Sequence, residues 1–70
     1  MPRSHLVRVL LITALANGVS SEDYDILSRI ASEEGVFDIL PWARMDTSGD
    51  VGIFYLPEEH IRRLREQYPY

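Results

Sequence analysis

The sequence predicts a small α+β domain with two N-terminal helices, a β-hairpin and a C-terminal helix. Apolar side chains recur at helical spacing between residues 20 and 35, and two runs of strand-forming residues flank Ser48-Gly49. The last segment opens on Pro57 and two acids, which is typical of a helix start. With 70 residues and no linker or repeat, the chain is predicted to be one domain over residues 1–70.

The first element, residues 6–16, is compatible with two structures. Its β-branched residues favour a strand, whereas its leucine and alanine content favours a helix. The sequence Asn17-Gly18-Val19 favours the helix, because glycine followed by an apolar residue is a common helix stop. If the element were a strand, the order would become βαββα, as in half of a ferredoxin-like sheet.

A helical wheel predicts which side of this first helix is buried. One face is expected to point into the core, formed by Leu6, Val7, Leu10, Leu11 and Ala14. Arg8 and Ile12 fall on the opposite side. A core this small is marginal and the chain has no cysteine, so association is the expected source of extra stability. We therefore predict a homodimer whose interface contains Arg8, Val9 and Ile12.

The second helix has the clearest boundaries. Ser20 and Asp23 have the spacing of a capping box, and Tyr24 and Leu27 begin an apolar stripe at helical spacing. Gly35 is the predicted end of this helix.

The hairpin is predicted from residues 36–45 and 51–56, which are rich in strand formers. Pro41 lacks an N–H group, so the first strand must lie at an edge or contain a bulge there. Closure at Ser48-Gly49 sets the cross-strand pairs as Asp46 with Val51, Arg44 with Ile53, and Trp42 with Tyr55.

This pairing divides the hairpin into two faces. The face without arginine is the better core candidate, and its members are Ile39, Ala43, Met45, Phe54 and Leu56. The other face combines tryptophan, tyrosine and arginine, the residue types enriched at binding hot spots. We therefore predict partner binding by Trp42, Arg44, Ile53 and Tyr55. The alternative is that the C-terminal helix covers Trp42.

The C-terminal helix carries the other candidate binding residues. Glu58 and Glu59 precede Arg62 and Arg63 by four residues, which is the spacing of helical ion pairs. Together with Arg65, these arginines form a basic face that we include in the predicted partner-binding surface. The alternative is an ordinary solvated face.

The hairpin segment also resembles a calcium-binding loop. Asp46, Ser48 and Asp50 alternate as the first oxygen ligands of such a loop do. However, the turn glycine and the closing acid each come one residue late, at Gly52 and Glu58. We therefore predict a hairpin turn here, with no metal site and no cofactor.

Composition restricts the class of function. The net charge of −4 disfavours nucleic acid as the main partner. The chain has no cysteine nucleophile, no phosphate-binding loop and no paired-histidine zinc motif, so no enzyme is predicted. The opening order of helix, Asn-Gly turn and helix, followed by a hairpin, resembles winged-helix domains in outline. It lacks the recognition helix that should precede the hairpin.

The N-terminal run has some features of a signal peptide but is too short for a membrane span. Its removal would take away much of the core, so we expect a cytoplasmic protein that retains it and does not bind membranes. The predicted function is that of a small non-enzymatic regulator or inhibitor that contacts another protein. A winged-helix-like DNA-binding regulator is the alternative.

Overall fold

The computed structural model describes residues 1–49 and 52–70. Its elements follow in the order α1 (Arg3–Asn17), β1 (Val19–Ser20), α2 (Ser21–Glu33), a 3₁₀ turn (Leu40–Trp42), β2 (Arg44–Asp46), β3 (Ile53–Tyr55) and α3 (Glu58–Gln67). The predicted α+β class is confirmed, with two N-terminal helices, a hairpin and a C-terminal helix. The ferredoxin-like alternative is wrong, because residues 6–16 are helical.

Both ends of α2 form as the sequence predicts. The hydroxyl oxygen of Ser20 accepts a hydrogen bond from the backbone N–H of Asp23 at 3.2 Å. At the other end Gly35 adopts a positive φ of 69°, and the N–H of Val36 donates to the carbonyl of Ala31 at 2.8 Å. This glycine-based helix end returns the chain to the core, where Val36 is buried.

The sheet contains a third strand that the sequence does not predict. Gly18 follows α1 with φ 82° and ψ 136°, so the chain leaves the helix in an extended direction. Val19 and Ser20 then pair antiparallel with Phe54 and Ile53 of β3, giving the strand order β1-β3-β2. Two residues are too few to show the alternation that identifies a strand in sequence.

The predicted register of the hairpin is wrong by two residues. Arg44 pairs with Tyr55, and Asp46 pairs with Ile53. Val51, the predicted partner of Asp46, lies outside the described residues. Since side chains alternate with a period of two, the shift leaves the side chains of β2 and β3 on their predicted faces. Met45 was nevertheless expected in the core and is 55% exposed.

The first hairpin strand is also shorter than predicted over residues 36–45. Pro41 has no N–H to donate to a ladder, and it lies instead in the 3₁₀ turn that precedes β2. Trp42 ends this turn and therefore does not pair with Tyr55. The preceding segment is irregular but contributes Ile39, which is fully buried, to the core.

The buried side of α1 differs from the predicted one. Val7 and Leu11 are in the core as expected, but Leu6 and Leu10 are 47% and 58% exposed, and Ile12 is buried. Apolar residues surround α1 on all sides, so the spacing alone cannot select the buried face. The C-terminal segment decides, because it packs on the Ile12 side of the helix. The core cluster comprises Val7, Leu11, Ile12, Leu15, Ala31, Val36, Ile39, Leu56, Ile61 and Leu64.

A polar network on Asp38 ties α1 to the end of α3. The carboxylate accepts a hydrogen bond from Arg8 Nε at 3.0 Å and another from the Tyr68 hydroxyl at 2.8 Å. The Arg8 guanidinium also lies 5.0 Å from the centroid of the Tyr68 ring. Partial burial acts to raise the pKa of Asp38, but the bonds from Tyr68 and Arg8 outweigh it and lower that pKa below 3.8. The same bond to Asp38 raises the pKa of Tyr68.

This network should make stability depend on pH. Because the pKa of Asp38 is lower in the folded protein, its stabilising effect is present above the unfolded value and is lost as the pH falls through the folded one. We expect Asp38→Asn to lose less stability than wild type between neutral pH and about pH 3. The difference should be less than about 1 kcal/mol, because the site is partly exposed. Urea unfolding at each pH measures this. Asp25→Asn, which removes an exposed carboxyl of α2, is the control. If both variants lose less stability than wild type by the same amount, the assignment to Asp38 is contradicted.

Candidate partner-binding surface

Trp42 lies against α3 and is only partly covered by it. The indole ring is 4.6 Å from the His60 ring, centroid to centroid, with an interplanar angle of 33°. Arg63 places its guanidinium carbon 5.2 Å from the Trp42 ring centroid. Trp42 nevertheless remains 40% exposed. The predicted cover by the C-terminal helix is therefore present, but it leaves a large part of the indole at the surface.

His60 and Arg63 hold each other in place beside the indole. The Arg63 guanidinium donates a hydrogen bond to Nδ1 of His60 at 3.1 Å, which assigns the ring proton of a neutral His60 to Nε2. That Nε2 lies 3.8 Å from a carboxylate oxygen of Glu59. We call Trp42, His60 and Arg63 the Trp42 cluster. A cation placed over an indole contributes about 0.5–1 kcal/mol at an exposed site, so the cluster favours one arrangement of its side chains.

Shallow depressions adjoin the Trp42 cluster, and Arg63 lines three of them. The first has a volume of about 360 Å³ and is lined by Asp38, Trp42, Arg63, Leu64 and Gln67. The second, of about 240 Å³, is lined by Glu59, His60 and Arg63. The third, of about 400 Å³, is lined by Arg63, Glu66 and Gln67. The surface therefore offers an apolar floor with a cation and carboxylates at its edges.

The outer face of the hairpin carries the remaining predicted residues of the sheet. Arg44 of β2 lies directly across from Tyr55 of β3, and Ile53 lies one pair further along, across from Asp46. All four side chains are exposed, and β2 is an edge strand with β3 on one side. The ring of Trp42 contacts α3, whereas Tyr55 lies in β3 of the sheet. Tyr55 and Trp42 therefore occupy separate positions at this surface.

The three predicted arginines of α3 do not all lie on one face of the helix. Successive residues of a helix point about 100° apart, so Arg62 and Arg63 face different directions. Arg65 lines a cavity of about 170 Å³ on the α1 side, with Val9 and Tyr68 among its neighbours. That volume is well below the range of about 300–1,000 Å³ typical of small-molecule sites. Of the three, Arg63 is the one whose guanidinium lies over the Trp42 ring.

The predicted dimer interface does not lie on a free surface. Val9 and Ile12 are buried within the single chain, and Arg8 is paired with Asp38. The placement of these residues was wrong because the wheel could not identify the buried face of a helix that is apolar on all sides. Homodimer formation itself stays a prediction.

Sequence reasoning missed Asp38 and Leu64 at the edge of the Trp42 cluster. Asp38 stands alone between apolar residues in the sequence Val36-Phe37-Asp38-Ile39, and that isolated acid was the available signal. Leu64 gave no separate signal, because an apolar residue is expected at its position in an amphipathic helix. Their positions depend on how α3 docks, which local sequence does not encode.

Asp46 forms a hydrogen bond within the hairpin turn. Its carboxylate accepts a hydrogen bond from the backbone N–H of Ser48 at 2.9 Å, an Asx-turn arrangement that also lowers the pKa of Asp46. Asp50, the third oxygen donor of the calcium-like pattern, lies outside the described residues. Among residues 1–49 and 52–70, no three His, Asp or Glu side chains are grouped as they would be to hold a metal ion.

None of the described helices is both long and apolar enough to span a bilayer. Comparison of the chain with protein-family models, curated proteins and solved structures finds no match.

Proposed function

We propose that this protein is a small non-catalytic regulator or inhibitor that binds another protein through the Trp42 cluster and the outer face of the hairpin. The observation that carries this proposal is the half-exposed indole of Trp42, held by His60 and Arg63. A side chain that is already ordered loses little conformational entropy on binding, which favours affinity.

The chemistry of the surface favours a protein partner. Tryptophan, tyrosine and arginine dominate binding hot spots, and here Trp42 and Tyr55 are exposed with Arg44 and Arg63 beside them. We infer a partner segment that lays an apolar side chain on the indole and brings a carboxylate to Arg63. An arginine that stacks on an indole still has guanidinium N–H groups at its edge for such a carboxylate.

The surroundings of His60 support binding more than catalysis. Nδ1 accepts a hydrogen bond from Arg63, one face of the ring packs on Trp42, and Nε2 is directed toward Glu59. A general base needs an unoccupied nitrogen within reach of a substrate proton. His60 instead orders the indole and the guanidinium.

The test begins with capture of partners from a lysate of the source cells, using tagged wild type and Trp42→Ala. We expect Trp42→Ala to weaken the captured interaction by about 30-fold or more, because it removes a central aromatic contact worth about 2 kcal/mol. Phe37→Ala is the matched control, since Phe37 is an exposed aromatic that borders α2 and lies outside the Trp42 cluster.

Trp42 is the one tryptophan of the chain, so its fluorescence reports the interaction directly. Titration of wild type with the purified partner should shift the emission to shorter wavelength as the indole loses water. Equal affinity of Trp42→Ala and wild type, with the fold intact by circular dichroism, contradicts the proposal. Binding to DNA that falls steeply with salt would instead support the winged-helix-like alternative.

A further inference from the structure

The outer face of α1 is apolar and has no partner within the described residues. Leu6 and Leu10 lie one helical turn apart on this face, and Ala14 continues the same row. α2 also exposes two large apolar side chains one turn apart, Ile26 and Ile30. However, α2 carries four acidic residues, whereas α1 carries none.

The charges of α1 fit a second α1 that runs in the opposite direction. Arg3 and His5 lie in the first turn, where the partial positive charge of the helix N-terminus disfavours cations, and the last turn has no basic residue. Arg3 donates from Nε to Glu34 at 2.9 Å, while its side chain remains 81% exposed. An antiparallel copy would bring its own α1 C-terminus, around Asn17, toward Arg3. That arrangement sets a cation beside the negative end of a helix dipole.

The distribution of acids favours a second copy of this chain at that face. All eleven acidic residues follow Ser21, so α1 carries none. Two copies with a net charge of −4 each repel one another across most of their surfaces. The outer face of α1, which carries no acidic residue, is where they can meet with the least repulsion, and a two-fold pairing is the usual form of such contacts.

We propose that two copies of the chain associate in antiparallel fashion through the outer face of α1, with Leu6 and Leu10 in the interface and the two-fold axis near Leu10. A 15-residue helix is about 22 Å long, so the contact is small and the expected dissociation constant is micromolar. This inference does not rest on the proposed function, because the Trp42 cluster uses none of these residues.

Sedimentation equilibrium of the full chain tests the association. Wild type should rise from 8.1 kDa toward twice that mass with increasing concentration, whereas Leu10→Glu should remain at 8.1 kDa. Ile26→Glu is the matched control, because Ile26 of α2 is exposed to the same extent as Leu6, 47%. It should associate as wild type does. A wild type that stays monomeric, or a Leu10→Glu variant that associates like wild type, overturns the proposal.

Cysteine cross-linking tests the orientation, since the natural chain contains no cysteine. Under mild oxidation Leu10→Cys should form covalent dimers much faster than Ile26→Cys, because the two-fold axis brings its two copies together. Asn17→Cys should not cross-link to itself, but a mixture of Asn17→Cys and Arg3→Cys should give the mixed dimer. Rapid self-cross-linking of Asn17→Cys would indicate parallel helices and overturn the proposal. Trp42→Ala should leave all of these results unchanged, which separates them from the test of the proposed function.

Discussion

Replacement of Leu15 by alanine is expected to lower the free energy of unfolding by about 3 kcal/mol. Leu15 is 0% exposed and lies in the core cluster. Its backbone carbonyl accepts hydrogen bonds from the N–H groups of Gly18 and Leu56, at 3.3 and 3.1 Å. Leu15 therefore lies where α1 ends and where the chain leaves the sheet after β3, and its side chain fills the core at this junction. Alanine would leave a cavity there that the fixed backbone cannot easily close.

An effect of that size is large for this protein. A 70-residue domain has a total stability of roughly 4–10 kcal/mol, so the variant should melt at least about 12 °C lower. Thermal and urea unfolding measure this, at concentrations low enough for the protein to be monomeric. Leu10→Ala is the control, because it makes the same change at an exposed position of the same helix, and it should alter stability by less than about 0.5 kcal/mol. Similar losses in both variants would contradict the placement of Leu15 in the core.

The second large effect is expected for Gly18→Ala, at about 3 kcal/mol of destabilisation. With φ 82° and ψ 136°, Gly18 has a backbone conformation that side chains with a Cβ rarely adopt. A Cβ there would also lie 3.1 Å from the Cγ2 methyl of Ile53 in the neighbouring strand. Strain and close contact therefore act together at the junction between α1 and β1.

Gly35→Ala is the matched control for this substitution. Gly35 also has a positive φ, of 69°, but nothing lies within 4 Å of the position its Cβ would occupy. Its destabilisation should be about 1 kcal/mol, which reflects backbone strain alone. Urea unfolding compares the two variants. A loss at Gly18 no larger than the loss at Gly35 would contradict the close approach of β1 and β3.

Local features of the chain were predictable where neighbouring residues alone determine the outcome. Ser20 and Gly35 delimit α2 through hydrogen bonds to residues three to five positions away, and both signals are visible in sequence. Hairpin faces were predictable for a similar reason, because side-chain alternation survives a register shift of two residues.

Features that depend on docking were not predictable. The sequence of α1 is apolar on all sides, and only the position of the C-terminal segment selects Ile12 over Leu10 for burial. The candidate site likewise has one feature that local sequence reveals and others that depend on docking. Trp42 was identified from its residue type, but its contacts with His60 and Arg63 require α3 to lie beside the 3₁₀ turn.

The Asp38 network also bears on the order in which the chain folds. Arg8 and Tyr68 are each 30 residues away from Asp38 along the chain, in opposite directions. Closing loops of that length costs conformational entropy, which favours late formation of such contacts. The three side chains can meet only after α1, the segment before β2 and α3 have docked. Interactions that form after the folding transition state slow unfolding without speeding folding. The network on Asp38 is thus placed to prolong the lifetime of the folded state.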